Sequence, residues 1–533
     1  MNRLLILIVN LGLTAFISQA SAETEVELGT RLYHERKWAE AAQVLHQFAE
    51  THPEQNEDYF AAEYYLGLSL FDLKLYVAGS NPMIKVVRST SKKYRKEALE
   101  KLISMSGHLK NQKLLEFAIS DLRVGDLKTM SNDVFEFKMA ELYYDNAQYD
   151  QAINYLKQAL QRAPDQEAEL NLLALSYLKK NNTSLAIEVY LQLLYIYNKR
   201  NESDDLKVDF TTLNLARAYF QQKEYSKAVE IYNRLPKKGE AYRQSLKELA
   251  WSYLFMGQMA KAIGVLETTH TPYYENYFEP ESLFLRAILL NGMCQFEEAE
   301  AAIQVFDESY VSLINILHTW SARRVDGKES ISEIEFTLEA LKDERHGQFK
   351  DKKQKISYGG HIPFKVTRTL LLDYRLANSY ETFLQIKSER ISALKIFSHE
   401  EKQISFKAFL ESIYVVQLND FENQVAVTLS NLLMKVQKDL NFYKDQLAFV
   451  SYEITETRKK ELKQKVIDTN LESLGVASEN KVVISKKKKK SGYQVWAFDS
   501  EFWKDELNTY EYSGKNKCTA DETGAGAGVK SGK

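Results

Sequence analysis

Small and aromatic residues recur in a fixed order through the N-terminal half of the chain. In the first occurrence a small residue, Gly29, is followed one helical turn later by Tyr33, and Trp38 and Ala41 open a second segment that Pro53 closes. Residues three or four positions apart lie on one face of a helix, and proline cannot continue a helix because it lacks the N–H group. Each occurrence therefore predicts two helices that pack together through their small residues.

The second-helix alanines give the period of this pattern. Ala152 and Ala186 are 34 residues apart, and so are Ala228 and Ala262, whereas insertions lengthen the other intervals. About seven units follow the pattern, five of them closely. A weaker unit contains Gly67, and we expect its second helix to be irregular because glycine, asparagine and proline fall close together at Gly79, Asn81 and Pro82.

These residues resemble the tetratricopeptide-repeat family, whose period is about 34 residues, over roughly half of the chain. The resemblance implies an all-α fold, an α-solenoid of helical hairpins whose concave surface binds other proteins. By analogy with the family, polar and aromatic side chains on the first helix of each unit would contact the partner. The candidate partner-binding residues are Tyr143, Asn171, Asn214 and Lys247.

A long helix is predicted over residues 401–468, which contain no proline or glycine. Apolar residues follow spacings of three and four, close to a heptad, which is typical of a coiled coil. The partner of this helix could be the helix near Thr367–Ile396, a second copy or a different protein, and we favour the intramolecular hairpin. The apolar positions are Val425, Leu429, Leu432, Val436, Leu440, Tyr443, Leu447, Val450 and Ile454.

The N-terminus has the pattern of a secretory signal peptide. A short basic start precedes an apolar run from Leu4 to Ile17, and Ala20-Ser21-Ala22 matches the small-x-small cleavage pattern. The apolar run is shorter than the roughly 20 residues that a spanning helix needs. We expect cleavage after Ala22 and export of a mature chain without a transmembrane segment to a bacterial periplasm or outer membrane.

The tail carries two unusual segments. Five lysines, Lys486–Lys490, are interpreted mainly as a solvated linker, and a block of aromatic and acidic residues follows that includes Trp496 and Trp503. This block either docks on the array or is offered to a partner. The whole chain divides into a signal peptide 1–22, N-terminal repeat units 23–88, a helical spacer 89–131, a main array 132–307, a helical region 308–400 with a charged loop near 342–360, the long helix 401–468 and a mostly irregular tail 469–533.

Only two cysteines occur, Cys294 and Cys518. They could pair in an oxidising compartment, or Cys294 could be a small packing residue in a repeat turn. The segments around both cysteines are similar to those of exported tetratricopeptide proteins of Bdellovibrio and myxobacteria, some of which belong to envelope-spanning gliding machinery. This resemblance implies that both cysteines lie in family-like motifs, which strengthens the expectation of a disulfide and leaves both alternatives open.

Composition and motifs favour binding over catalysis. The formal net charge is −3, from 70 basic and 73 acidic residues, so no global basic field indicates nucleic-acid binding. The sequence has no zinc-protease, phosphate-loop, dinucleotide or serine-hydrolase motif. We therefore expect no catalytic, cofactor-binding or metal-binding residues.

Three functions remain as hypotheses. The first is an exported interaction scaffold of the cell envelope, which binds envelope or periplasmic proteins. The second is an assembly subunit of a motility or secretion complex that self-associates through residues 401–468. The third is a cell-wall-binding or carbohydrate-active protein whose site would lie within residues 308–400.

Overall fold

The computed structural model describes residues 24–52, 57–89, 93–109, 133–200, 205–274, 277–322, 326–345, 362–398 and 404–473, and tail positions 507, 510, 512–514 and 516–518. Within these residues there are nineteen α-helices and no strand, as the sequence predicted. The helices are α1 Glu25–His34, α2 Trp38–Thr51, α3 Glu57–Asp72, α4 Tyr76–Arg88, α5 Arg95–Leu109, α6 Asp133–Asp145, α7 Tyr149–Arg162, α8 Glu167–Lys179, α9 Thr183–Arg200, α10 Asp205–Gln221, α11 Tyr225–Tyr232, α12 Gly239–Phe255, α13 Met259–Thr269, α14 Pro280–Gly292, α15 Phe296–Ala322, α16 Gly327–Arg345, α17 Phe364–Leu370, α18 Tyr374–Ile396 and α19 Ile404–Ser473.

One turn geometry joins seven pairs of these helices. A three-residue turn links α1 to α2, α3 to α4, α6 to α7, α8 to α9, α10 to α11, α12 to α13, and α14 to α15. The middle residue of each turn has a positive φ, between 53° and 71°. In the α6–α7 turn the Ala147 N–H donates to the Tyr144 carbonyl at 3.0 Å and the Gln148 N–H to the Tyr143 carbonyl at 2.8 Å. These bonds end the first helix and begin the second.

The small residues lie where the helices of a hairpin touch. The second-helix alanines named above are fully buried, and Gly29 faces Leu45 so closely that a Cβ would lie 2.5 Å from the leucine side chain. Gly67 of α3 and Gly79 of α4 face each other, since a Cβ on either would lie about 3 Å from the other's carbonyl oxygen. The prediction that small residues set the helix contacts is confirmed.

Helix α4 differs from the expectation. It runs without a break from Tyr76 to Arg88 and holds Pro82 in its interior, so the prediction of an irregular helix was wrong. Proline inside a helix costs about 3 kcal/mol. Burial of Pro82 together with Met83, Val86 and Val87 offsets that cost, which the local sequence pattern does not reveal.

The first of two compact units comprises the described residues within 1–164 and 374–425. Within it α18 and the first part of α19 form the hairpin that the sequence favoured. Arg390 of α18 forms an ion pair with Glu411 of α19, and the rings of Phe397 and Phe406 lie 4.8 Å apart. In α5 the buried apolar face includes Ala98, Leu99 and Leu102.

The second unit comprises the described residues within 165–373 and 426–533. Within it the later part of α19 packs on the last hairpin, α14–α15. The rings of Tyr443 and Phe284 lie 4.9 Å apart, and Arg458 forms an ion pair with Glu300 at 2.8 Å. The long helix therefore finds a partner inside its own chain in this unit.

The buried face of α19 departs at one point from the predicted heptad. Leu433 is fully buried, whereas the predicted Leu432 is only half-buried, as are Val436 and Tyr443. A straight helix drifts by about 20° per heptad, so a packed seam cannot keep a strict three-four spacing. The predicted positions that are buried are Val425, Leu429, Leu440, Leu447, Val450 and Ile454.

The described tail positions pack on the array within the second unit. Cys294, the middle residue of the α14–α15 turn, forms a disulfide with Cys518. The Lys517 N–H donates to the Met293 carbonyl at 3.0 Å, and the Tyr512 N–H donates to the Ala260 carbonyl at 3.2 Å. Two hairpins of the array thus hold this part of the tail.

Candidate protein-binding groove

A groove of about 610 Å³ lies between the first helices of two consecutive hairpins, α8 and α10, in the second unit. Its apolar part includes the ring of Phe210 and the exposed side chain of Leu206. The other lining residues are Asp165, Gln166, Glu167, Ala168, Asn171, Tyr197, Arg200, Lys207, Thr211 and Asn214.

Two predicted partner-binding residues line this groove together. Asn171 lies on α8 and Asn214 on α10. The Asn214 Oδ1 accepts a hydrogen bond from Arg217 at 3.3 Å. Among the described residues nothing hydrogen-bonds the half-buried Asn171 carboxamide. A carboxamide offers both donors and an acceptor, so this pair suits a ligand with backbone-like amide groups.

Charges around the groove are balanced. Glu167 forms ion pairs with Arg200 at 2.6 Å and with Lys207 at 3.1 Å, and both cations are almost half exposed. Arg200 also donates to the Asp165 carbonyl at 3.1 Å. Exposed ion pairs contribute little to stability, about 0–1 kcal/mol each, so a ligand could displace them at low cost.

A second cavity of about 440 Å³ holds the predicted residue Lys247. The first helices α10 and α12 form one wall of it, and the chain's own later helices form another through Leu370, Leu432 and Tyr443. Helices α17 and α19 therefore cover the surface of α12 that was expected to meet a partner. The local sequence around Lys247 does not predict that these helices pack over it.

Internal partners satisfy the charges of this second cavity. The Lys247 Nζ lies 3.3 Å from a Glu281 carboxylate oxygen, and the Trp251 indole N–H donates to the other Glu281 oxygen at 2.9 Å. Burial lowers the pKa of Lys247, but Glu279 and Glu281 outweigh it, so the net pKa is raised and the ammonium stays charged. Lys247 is thus part of an internal ion-pair network.

Aromatic and guanidinium groups extend this network. Arg217 donates from two nitrogens to Glu248, at 3.0 and 2.8 Å, and the Tyr232 O–H donates to the same carboxylate at 2.9 Å. The guanidinium groups of Arg243 and Arg368 lie over the ring of Tyr277 at 4.5 and 4.0 Å. Such pairing holds these helices together.

Residues 137–201 and 212–238 match two models of the tetratricopeptide repeat. This chain carries tetratricopeptide repeats. No curated protein matches the chain.

Several solved structures resemble the array. Nearly identical TPR-like repeats of a kinesin light chain from Podosopora anserina are 18% identical over 39% of this chain and 89% of that chain, with a TM-score of 0.18. The Rap conjugation gene regulator of plasmid pLS20 in complex with the Phr* peptide is 9% identical over 73% and 96%, with a TM-score of 0.29. A Rap protein complexed with Competence and Sporulation Factor is 13% identical over 75% and 98%, with a TM-score of 0.26.

The remaining predicted binding residues lie elsewhere in the chain. Tyr143 belongs to α6 of the first unit, where its ring stacks on Tyr155 at 5.5 Å. Trp496, Trp503 and the predicted cleavage site after Ala22 lie outside the described residues, as do the lysine run and most of the charged segment near 342–360. The structure thus brings Asn171 and Asn214 together in one groove and places Lys247 in the second cavity.

Within the described part of the chain, no three histidine, cysteine or acidic side chains converge in a way that could hold a metal ion. No helix in that part combines the length and apolar character that crossing a bilayer requires.

Proposed function

We propose that this protein is a non-enzymatic interaction scaffold that holds an extended segment of a partner protein in the groove between α8 and α10. One observation carries the proposal: this groove is open between two first helices and places Asn171 and Asn214 together. The equivalent surface at Lys247 is covered by the chain's own helices. Tetratricopeptide arrays present binding surfaces of this kind.

The chemistry of the groove favours an extended peptide with alternating apolar and small polar side chains. The carboxamides of Asn171 and Asn214 can pair with its backbone, while Phe210 and Leu206 offer apolar contact. Balanced charge at the groove, from Asp165 and Glu167 against Arg200 and Lys207, gives no preference for a strongly acidic or basic ligand.

We further propose that the scaffold works outside the cytoplasm, in the bacterial cell envelope. The signal-peptide pattern that ends at Ala22 supports export. The Cys294–Cys518 disulfide supports it too, because such bonds persist mainly in oxidising compartments.

The groove is tested by cross-linking the tagged full chain to its partners in fractionated cells and quantifying them by mass spectrometry. The double variant Asn171→Ala/Asn214→Ala should lose a recurrent envelope partner by about ten-fold or more, since it removes both amide pairs. Gln192→Ala, an exposed position on α9, is the matched control and should retain the partner. Equal recovery by the double variant and the control would place binding elsewhere.

Export is tested separately. Fractionation followed by N-terminal sequencing should find the protein outside the cytoplasm, beginning at Glu23. Cytoplasmic protein that retains Met1 would overturn the export proposal and leave the groove proposal untouched.

A further inference from the structure

Large apolar side chains are exposed along the side of α19 that faces away from its buried seam. Val427 is 60% exposed, Met434 45%, Phe442 54%, Phe449 65% and Tyr452 62%. Their spacings of seven, eight, seven and three keep them on one face of the helix. We call these five residues the outer stripe.

The outer stripe is a different surface from the predicted heptad. The seam residues Leu429, Leu433, Leu440 and Leu447 are at most 1% exposed, because they pack inside this chain. Association through this part of the helix therefore cannot use the seam. A run of exposed aromatic and aliphatic side chains on one face is typical of an interaction surface.

Two exposed charges of opposite sign lie within the outer stripe. Lys438 and Asp445 are seven residues apart and both are solvent-exposed. They are equally far from the midpoint between Asn441 and Phe442. Met434 and Phe449 are also equally far from that midpoint.

This arrangement is self-complementary under a two-fold axis at the midpoint. In an antiparallel pair of copies, Lys438 meets the partner's Asp445, and Met434 meets the partner's Phe449. The same axis repeats both contacts in reverse, as an isologous interface requires. A parallel pair would instead place Lys438 against Lys438 and Asp445 against Asp445, which is repulsive.

We propose that the outer stripe is a self-association surface at which two copies of this chain pair antiparallel through residues 427–452 of α19. The paired part from Met434 to Phe449 comprises sixteen residues, and about 22 Å of helix separates its two ends. Helices pack at interaxial distances of about 8–10 Å, within reach of these side chains. The stripe carries no excess of positive charge that would attract an anionic lipid surface. Its one positive and one negative side chain are instead complementary to those of a second copy.

This inference does not depend on the proposed function. The outer stripe lies on α19, whereas the proposed peptide groove lies between α8 and α10. Variants of Asn171 and Asn214 test the groove without altering the stripe. A failure of either proposal is therefore distinguishable from a failure of the other.

Sedimentation velocity of the full chain over a wide range of concentration tests the proposal. The wild type should convert from monomer to dimer as concentration rises. Asp445→Lys and Lys438→Asp should each weaken the dimer by more than about ten-fold, because each places like charges opposite one another. An equimolar mixture of these two variants should restore association, since each lysine then meets an aspartate.

Phe449→Glu should abolish the dimer by placing a charge in the apolar part of the interface. The control Glu188→Lys is an exposed substitution on α9 that changes the net charge by the same amount as Asp445→Lys. It should leave the dimer intact. Circular dichroism should show equal helix content in all variants, because every substituted position is exposed. A chain that stays monomeric, or a dimer unaffected by both charge reversals, would overturn the proposal.

Discussion

The seven turn residues with positive φ carry different side chains at one backbone position. They are Arg36, Lys74, Ala147, Asn181, Lys223, Gly257 and Cys294. Residues other than glycine and asparagine pay about 1–2 kcal/mol for this conformation. Five of the seven turns carry this energetic cost. There the hydrogen bonds of the turn and the packing of the hairpin keep the residue in the positive-φ conformation.

Substitution at two of these turns tests the cost directly. Ala147→Gly should stabilise the protein by about 0.5–1 kcal/mol, because glycine adopts positive φ readily. Gly257→Ala should destabilise it by about 1 kcal/mol through the backbone alone, since a Cβ there meets no atom within 4 Å. Midpoints of urea unfolding measure both, and shifts of the same sign in the two variants would contradict the explanation.

His270 is the residue with the clearest pH dependence. Burial lowers its pKa to about 4, with a smaller contribution from Arg286, and its buried Nε2 has no hydrogen-bond partner within the described residues. The unfolded state, with a histidine pKa of about 6.5, takes up the proton first as pH falls. The stabilisation is therefore complete above about pH 6.5 and is lost as pH falls toward the folded pKa of about 4.

His270→Gln should remove this dependence. Between about pH 6.5 and 4 the stability difference between wild type and variant should change by about 1.4 kcal/mol per pH unit. Unfolding curves at a series of pH values measure it, and the comparison cancels the titration of the carboxylates. Parallel pH profiles would show that His270 is not buried in its neutral form.

At the scale of elements, a single carboxylate joins helices that are far apart in sequence. Glu389 of α18 accepts hydrogen bonds from the Val77 and Ala78 N–H groups at the start of α4, at 2.9 and 3.1 Å. The Tyr414 O–H of α19 donates to it at 2.9 Å. Burial raises the pKa of Glu389, and these donors and the positive end of the α4 dipole favour its charged form. The α18–α19 hairpin thus caps a helix of the array.

Tyr414→Phe should destabilise the protein by about 1.5–3 kcal/mol, because it removes a donor to a buried charged acceptor. Tyr195→Phe, at a tyrosine that is 66% exposed, is the matched control and should have no measurable effect. Chemical unfolding of both variants gives the difference. Equal stability of the two would mean that Glu389 does not need the tyrosine.

At the scale of the whole molecule, the disulfide links residues separated by 224 positions in sequence. A closed loop of this length restricts the unfolded chain strongly, and native disulfides contribute typically about 2–4 kcal/mol. One of its cysteines also occupies the strained turn position, since Cys294 has a φ of 53°. At Cys294 the disulfide therefore stabilises the fold, whereas the positive φ destabilises it.

Two variants separate these contributions. Cys518→Ser should lower the unfolding free energy by about 2–4 kcal/mol. Adding Cys294→Gly should recover about 1 kcal/mol by relieving the positive φ. Unfolding is measured with and without a dithiol reductant, which should destabilise the wild type and leave both variants unchanged. An unfolding free energy of the wild type that does not change with the reductant would contradict stabilisation by the disulfide.

The sequence by itself determined the hairpins and their contacts. Small residues at Gly29, Gly67 and the second-helix alanines mark helix contacts, because a close approach of two backbones tolerates no larger side chain. The place of Asn171 and Asn214 on neighbouring first helices also followed from the repeat period. These features are local, since each depends on residues within one or two units.

Only the tertiary structure decided which surfaces are covered. The packing of Tyr443 on Phe284 and the binding of Glu389 at Val77 join residues far apart in the chain. An apolar heptad shows that one face of a helix will be buried. It does not show which other element of the chain, or which partner, that face packs against. The choice depends on the summed packing of distant elements, so the cover over Lys247 and the exposure of the outer stripe were not predictable from the pattern.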